Sequence, residues 1–215
     1  MESPPHIWLC PTGPFAFLPI HAAGIYTDGE QICFSDYATI SYTPTLEARL
    51  NSQPATGLLE DFEMLVVIEP GSGRHHLPAT VSELERIKAH VPHEWLTVFG
   101  TQDSPSSVEK VTISLSSATF AHFACHGSQG IKHPLESALL LHDGQLNISQ
   151  IMQKQMHNAS LAFLSACETA KGHDGTPDEV MHLSASLLFS GFHGVVGTMW
   201  YVQTYFIWTN VLIPV

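Results

Sequence analysis

Five short apolar runs, separated by stretches of helical character, constrain the fold of this chain more than any other feature. The runs are Met64–Ile68, Trp95–Phe99, Thr119–Ala124, Leu161–Ser165 and Gly194–Trp200. Hydrophobicity that is continuous rather than alternating is typical of strands covered on both faces, and intervening helices favour parallel pairing. The sequence therefore predicts an α/β layered fold around a mostly parallel central sheet.

Apolar residues at helical spacing predict four helices, one in each interval between consecutive strands. The predicted helices are Thr80–His90, Ser106–Leu115, Ser149–Met156 and Met181–Ser190. In the first of them, Ser82 with Glu85, or Thr80 with Glu83, has the spacing of a capping box.

The pair Asp143-Gly144 lies between two apolar runs, which predicts a small antiparallel hairpin. Residues 1–60 show short strands at Ile7–Cys10 and Tyr37–Ser41 without regular helices, and we interpret them as an extension of the same domain. Residues 61–200 form the predicted core. Residues 201–215 are an atypical tail that looks truncated.

Charge and cysteine usage exclude several classes of function. Eight Lys and Arg against 20 Asp and Glu give a net charge of -12, so the chain lacks the basic surface that binds nucleic acid or anionic membranes. The four cysteines follow no CxxC or disulfide-framework spacing, the N-terminus is no signal peptide, and no apolar run is long enough for a membrane span. We expect a cytoplasmic protein of one domain, since 215 residues suit a single core.

A histidine and a cysteine follow two of the predicted strands. His126 comes after the strand ending at Ala124, and Cys167 after the strand ending at Ser165. Ligands of open parallel sheets bind beyond the carboxyl ends of the strands, so neighbouring strands would bring the two side chains to one site. A histidine that takes the proton of a thiol creates a nucleophile for peptide carbonyls. The backbone N–H groups of Gly127 and Cys167 are the candidate oxyanion donors.

Three ordered motifs carry a family resemblance. They are His122-Phe-Ala-Cys-His-Gly127, Leu164-Ser-Ala-Cys-Glu-Thr-Ala170 and Gly191-Phe-His-Gly-Val-Val-Gly-Thr-Met-Trp200. Together they resemble the motif blocks of CHAT domains, which are caspase- and separase-like cysteine peptidase domains often found behind tetratricopeptide repeats. Three further segments resemble the fungal form of the family in particular: Leu18–Gly24, Ser41–Leu46 and Pro134–Ser137.

The resemblance implies a caspase-like layered αβα fold with His126 and Cys167 as a catalytic dyad. It implies a cysteine endopeptidase that cleaves protein substrates in regulated signalling or cell death and that is switched on by tetratricopeptide-repeat or other regulatory domains. No metal or organic cofactor is expected.

Other interpretations remain open from the residues alone. Without the resemblance, Cys167 is better read as an ordinary buried thiol. The departure from the family pattern after Trp200 motivates an inactive scaffold that binds a partner through a caspase-like fold. His122 and His126 could ligate zinc with a cysteine, but no HExxH or paired CxxC accompanies them. Cys125 is expected to be a small core residue, and His21 a hydrogen-bonded structural histidine.

Three acidic residues follow the proposed nucleophile: Asp174, Asp178 and Glu179. Acidic side chains near a helix N-terminus are favoured for structural reasons alone. The alternative is a substrate pocket that favours a basic residue before the scissile bond, as an acidic pocket does in trypsin-like enzymes.

Overall fold

The computed structural model describes residues 4–27, 29–51, 62–71, 77–128, 130, 134–165 and 183–198. They form two compact units, the first between residues 4 and 51 and the second between residues 62 and 198. The predicted boundary at residue 60 and the predicted tail over 201–215 lie outside the described residues.

The first unit is built from short strands. Its elements are β1 (His6–Leu9), β2 (Gly24–Thr27), β3 (Glu30–Cys33), β4 (Thr39–Tyr42) and α1 (Leu46–Asn51), with 3-10 helices at Gly13–Phe17, Ile20–Ala22 and Phe34–Asp36. β1 pairs in parallel with β4, and β2 forms an antiparallel hairpin with β3.

The strands β1 and β4 confirm the two predicted strands of this unit with a shift of one or two residues. The expectation that the segment lacks a regular helix is wrong, because α1 forms after Thr45. The hydroxyl of Thr45 accepts a hydrogen bond from the N–H of Ala48 at 3.0 Å, which is how an N-cap residue satisfies a free donor in the first turn of a helix.

The second unit contains the predicted α/β core. Its strands are β5 (Met64–Ile68), β6 (Leu96–Phe99), β7 (Phe120–Ala124), β8 (His126–Ser128), β9 (Ala138–Leu140), β10 (Gln145–Asn147), β11 (Leu161–Leu164) and β12 (Gly194–Val196). Its helices are α2 (Ala79–His90), α3 (Val108–Leu115), α4 (Ile148–Met152) and α5 (Leu183–Phe189), with 3-10 helices at His93–Trp95 and Pro134–Glu136.

A five-stranded sheet in the order β12-β11-β7-β5-β6 lies at the centre of this unit, and every pair of neighbours is parallel. The predicted mostly parallel sheet is therefore confirmed. β7 is the middle strand, with β5 on one side and β11 on the other.

Apolar side chains cover both faces of the sheet. Leu65, Val67 and Phe123 pack on one side in a core that includes residues of α3, α4 and α5. Val66, Ile68 and Ala124 pack on the other side with Leu84 and Ile87 of α2. Alternate residues of β5 and β7 thus point to opposite layers, which gives the layered αβα arrangement expected of a caspase-like fold. No helix among the described residues is both long and apolar enough to cross a bilayer.

The predicted hairpin around Asp143-Gly144 is confirmed. β9 and β10 pair antiparallel, and the N–H of Leu141 donates to the carbonyl of Gly144 at 2.9 Å. A carboxylate oxygen of Asp143 also accepts from the N–H of Val108 at 2.8 Å, at the first turn of α3. β8 joins this hairpin through β9 to make a three-stranded sheet. The small sheet therefore begins at His126, two residues after the end of the central strand.

Gly100, the residue that follows β6, has a backbone conformation that requires glycine. Its φ is +96°, and a Cβ there would overlap the backbone carbonyl of Ile68. We expect Gly100→Ala to lower the free energy of unfolding by about 2–3 kcal/mol, since both the backbone and the neighbouring strand must shift. Urea denaturation measures this change.

The matched control is Gly144→Ala. The nearest atom to a Cβ at Gly144 is the Cγ2 of Val108 at 3.4 Å, so the loss there should stay within about 0.5 kcal/mol. Equal effects of the two substitutions would contradict this assignment of Gly100.

Candidate functional site

The strands that precede the two proposed catalytic residues are neighbours. β11 pairs with β7 in parallel, and Leu164 is opposite Phe123 in the register. His126 and Cys167 each follow their member of this pair by three residues. The adjacency of the strands, on which the sequence-based site depended, is therefore present.

His126 begins β8 and is partly buried. It is opposite Leu140, and Gly127 is opposite Leu139, in the antiparallel pairing of β8 with β9. Cys125 alone separates His126 from β7, so the histidine is positioned at the junction of the two sheets. A strand on both sides of this junction restricts the backbone that carries the imidazole.

The described part of the β11 end is Ser165. Its N–H donates to the carbonyl of Phe123 at 2.8 Å, so the ladder between β7 and β11 continues to this residue. Cys167 lies two residues further along the chain and is outside the described residues, as are Asp174, Asp178 and Glu179. Their proposed roles stay predictions.

Cys125 is the structural cysteine that the sequence predicted. Its side chain is buried in the core that contains Phe123 and Leu139. Burial, and next the charge of the nearby Glu69, raise the pKa of the Cys125 thiol well above its ordinary value. A thiol that does not ionise is a poor nucleophile, which argues against Cys125 as the reactive residue of this edge.

Glu69 follows β5 at the same carboxyl edge of the sheet. Its N–H donates to the carbonyl of Ala124 at 2.8 Å. The hydroxyl of Ser106 donates to its carboxylate, and the N–H of His142 donates to the hydroxyl of Ser106 at 3.2 Å. The carboxylate of Glu69 is thus engaged in holding the loop before α3 and the β9–β10 turn.

A buried polar cluster, which the sequence did not predict, lies on the face of the sheet that packs against α2. Nε2 of His122 lies 2.9 Å from Oε1 of Glu83, an ion-pair distance whose direction is not that of a hydrogen bond. The hydroxyl of Ser165 donates to Oε2 of Glu83 at 3.3 Å. The ring of His122 also stacks on Phe163, with centroids 5.2 Å apart and planes within 9°.

The proposed capping role of Glu83 is wrong. α2 has no side-chain cap, and the hydroxyl of Thr80 donates instead to the carbonyl of Leu77. Thr80, Glu83 and Leu84 are all buried, and Ile87 packs on the same core. The missed signal was the position of Glu83 on the apolar face of the helix, where a charged residue needs a buried partner.

His122 and His21 each have a polar neighbour in the structure. Nε2 of His122 lies beside the carboxylate of Glu83, and among the described residues no three His, Cys, Asp or Glu side chains are grouped as metal ligands. In the first unit, Nδ1 of His21 is hydrogen-bonded to the hydroxyl of Tyr42 at 2.8 Å. His21 is therefore the hydrogen-bonded structural histidine that was expected.

Comparison with known families identifies the family of this chain. The family model of the CHAT domain matches residues 1–207 of the chain, which includes both units and all three sequence motifs. A search of curated proteins gives no significant match. With nearly its whole length matched and with the expected layered fold, this chain belongs to the CHAT domain family.

Proposed function

We propose that this chain is a cysteine endopeptidase in which Cys167 is the nucleophile and His126 is the general acid and base. The observation that carries the proposal is the parallel register of β7 with β11, in which Phe123 is opposite Leu164. Because β7 and β11 are parallel, both strands end at one edge of the sheet, and the two proposed residues follow this pair at the same sequence distance. That edge is where open parallel sheets bind ligands.

Distance along the chain supports the pairing. Neighbouring strands are about 4.8 Å apart. Two Cα–Cα steps of about 3.8 Å connect Ser165 to Cys167, and the backbone of Ser165 is still paired with β7. These short connections to paired strand ends support a dyad of His126 and Cys167 that acts on a single substrate carbonyl.

The chemistry requires only groups that the chain itself supplies. His126 takes the proton of the Cys167 thiol, and the thiolate attacks the carbonyl carbon of the scissile peptide bond. The N–H groups of Gly127 and Cys167 stabilise the oxyanion of the tetrahedral intermediate. His126 then protonates the leaving amine, and water, deprotonated by the same imidazole, hydrolyses the thioester. No metal or organic cofactor takes part.

The proposed substrate is a protein, and the proposed cellular setting is the cytoplasm. Asp174, Asp178 and Glu179 are the candidates for a pocket that favours a basic residue before the scissile bond. Free cysteines suit the cytoplasm, and tetratricopeptide-repeat or other regulatory domains are the proposed activators. The net charge of -12 favours neither nucleic acid nor anionic membranes as partners.

The test is cleavage of a peptide library by the purified chain, read by mass spectrometry. Wild-type protein should cut at a restricted set of sites, and Cys167→Ala should abolish cleavage. Cys33→Ala, which replaces a partly buried cysteine of the first unit, should leave the pattern unchanged. Cleavage that survives Cys167→Ala would reject the proposal. A folded wild-type chain that cleaves nothing would favour the inactive scaffold.

A further inference from the structure

One carboxylate contacts both strands that lead to the proposed dyad. Glu83 of α2 approaches His122 of β7 with Oε1 and accepts from Ser165 at the end of β11 with Oε2. His122 precedes His126 by four residues, and Ser165 precedes Cys167 by two. Among the described residues, Glu83 therefore links the strand that precedes His126 with the residue two positions before Cys167.

This cluster lies in an apolar layer. Glu83, His122 and Ser165 are 2%, 5% and 6% exposed, and Ile68, Leu84 and Ala124 form the core of the same face. Withdrawing a carboxylate from water is costly, and replacing such polar groups by apolar ones is often neutral or stabilising. A polar cluster at this place is thus poorly explained by stability alone.

The cluster restrains Ser165, the residue that follows β11. Ser165 is held twice, by its N–H on the carbonyl of Phe123 and by its hydroxyl on Glu83. The bond from the hydroxyl to Glu83 is 3.3 Å long, which is longer than a charge-assisted O–H···O bond, so its contribution is to orient Ser165 rather than to supply a large binding energy. Loss of the hydroxyl would leave Ser165 with its backbone bond to Phe123 but without its bond to Glu83, two residues before Cys167.

We propose that Glu83 is a positioning residue which, through Ser165 and His122, aligns the segment bearing Cys167 with His126. The inference rests on the proposed function. In this role α2, which packs on the face of the sheet that contains Val66, Ile68 and Ala124, affects the rate of catalysis without contact between Glu83 and the substrate.

The test compares Ser165→Ala, Ser165→Thr and Ser190→Ala with wild type. Ser165→Ala removes only the hydroxyl that reaches Glu83, whereas Ser165→Thr keeps a hydroxyl. Ser190→Ala is the matched control, because it removes a buried hydroxyl that donates to the carbonyl of Ile151 at 3.0 Å instead of to a carboxylate. The readout is the rate of Cys167 alkylation by limiting iodoacetamide across a pH series, measured by peptide mass spectrometry.

We expect Ser165→Ala to slow the alkylation of Cys167 about tenfold near neutral pH. The midpoint of the alkylation rate against pH should move towards the pKa of a free thiol, about 8.5. Ser165→Thr should restore the wild-type profile, and Ser190→Ala should not change it. Cys125 serves as the internal indicator of folding, because its buried thiol is labelled only when the core opens. If Ser165→Ala exposes Cys125, Glu83→Leu replaces it, since a leucine side chain offers neither Ser165 nor His122 a polar partner.

Three results would overturn the inference. An unchanged profile in folded Ser165→Ala, with wild-type labelling that depends on His126, rejects the positioning role and leaves the proposed function intact. An equal slowing in Ser190→Ala shows a general effect on stability. Wild-type labelling of Cys167 that is indifferent to His126 rejects the proposed function, and the positioning role with it.

Discussion

His126→Ala is expected to lower kcat/KM for peptide cleavage by about 100-fold to 10,000-fold, the usual contribution of a general acid–base group. The thiol of Cys167 then has no imidazole to take its proton, and the leaving amine has none to receive one from. The measurement is the rate of cleavage of a library-derived peptide at neutral pH, with the free energy of unfolding determined in parallel.

His142→Ala is the matched control for this substitution. His142 is an exposed histidine at the β9–β10 turn of the same small sheet that contains His126. Its replacement should leave the cleavage rate unchanged. A His126→Ala protein that is folded and as active as His142→Ala would remove the imidazole from the mechanism.

His122→Phe is expected to lower the free energy of unfolding by about 3 kcal/mol, because it leaves the buried carboxylate of Glu83 without one of its partners. The phenyl ring can still stack on Phe163 but is larger than the imidazole, so the double variant described next separates the effect of packing from that of the lost partner. Urea denaturation measures the change.

The double variant Glu83→Leu, His122→Phe tests the cause of that loss. It removes the carboxylate as well as its partner, so it should regain at least half of the lost stability. The control is Lys88→Ala, which breaks the exposed pair of Lys88 with Glu85 at 3.1 Å on the same helix and should cost within about 0.5 kcal/mol. A single His122→Phe variant as stable as Lys88→Ala would contradict this account of the cluster.

The central sheet could be predicted because its strands are buried on both faces. β5 is an unbroken apolar run, and its observed bounds, Met64–Ile68, are those of the run. The Asp143-Gly144 turn was equally clear, since an Asp-Gly pair favours a tight hairpin. By contrast, β2 and β3 were missed. Most of their residues are exposed, so neither strand shows the apolar pattern on which such a prediction depends.

The candidate site could be predicted in part for the same reason. The position of His126 follows from the end of β7 and needs only the strand pattern. The proposed role of Glu83 could not be predicted from the strand pattern, because Glu83 contacts His122 and Ser165, and Ser165 is 82 residues away along the chain. The local sequence predicts only that Glu83 is a charged residue on a helix. Its contacts with β7 and with the end of β11 depend on how α2 packs on the sheet.

The most direct test of the proposed dyad is the alkylation of Cys167 by a limiting thiol reagent in folded wild-type protein and in His126→Ala. We predict that Cys167 is labelled ahead of Cys10, Cys33 and Cys125 in the wild type, and that His126→Ala abolishes this preference. Labelling of Cys167 that is the same in both proteins, or no faster than that of a denatured thiol, would contradict the assignment of an assembled Cys167–His126 dyad.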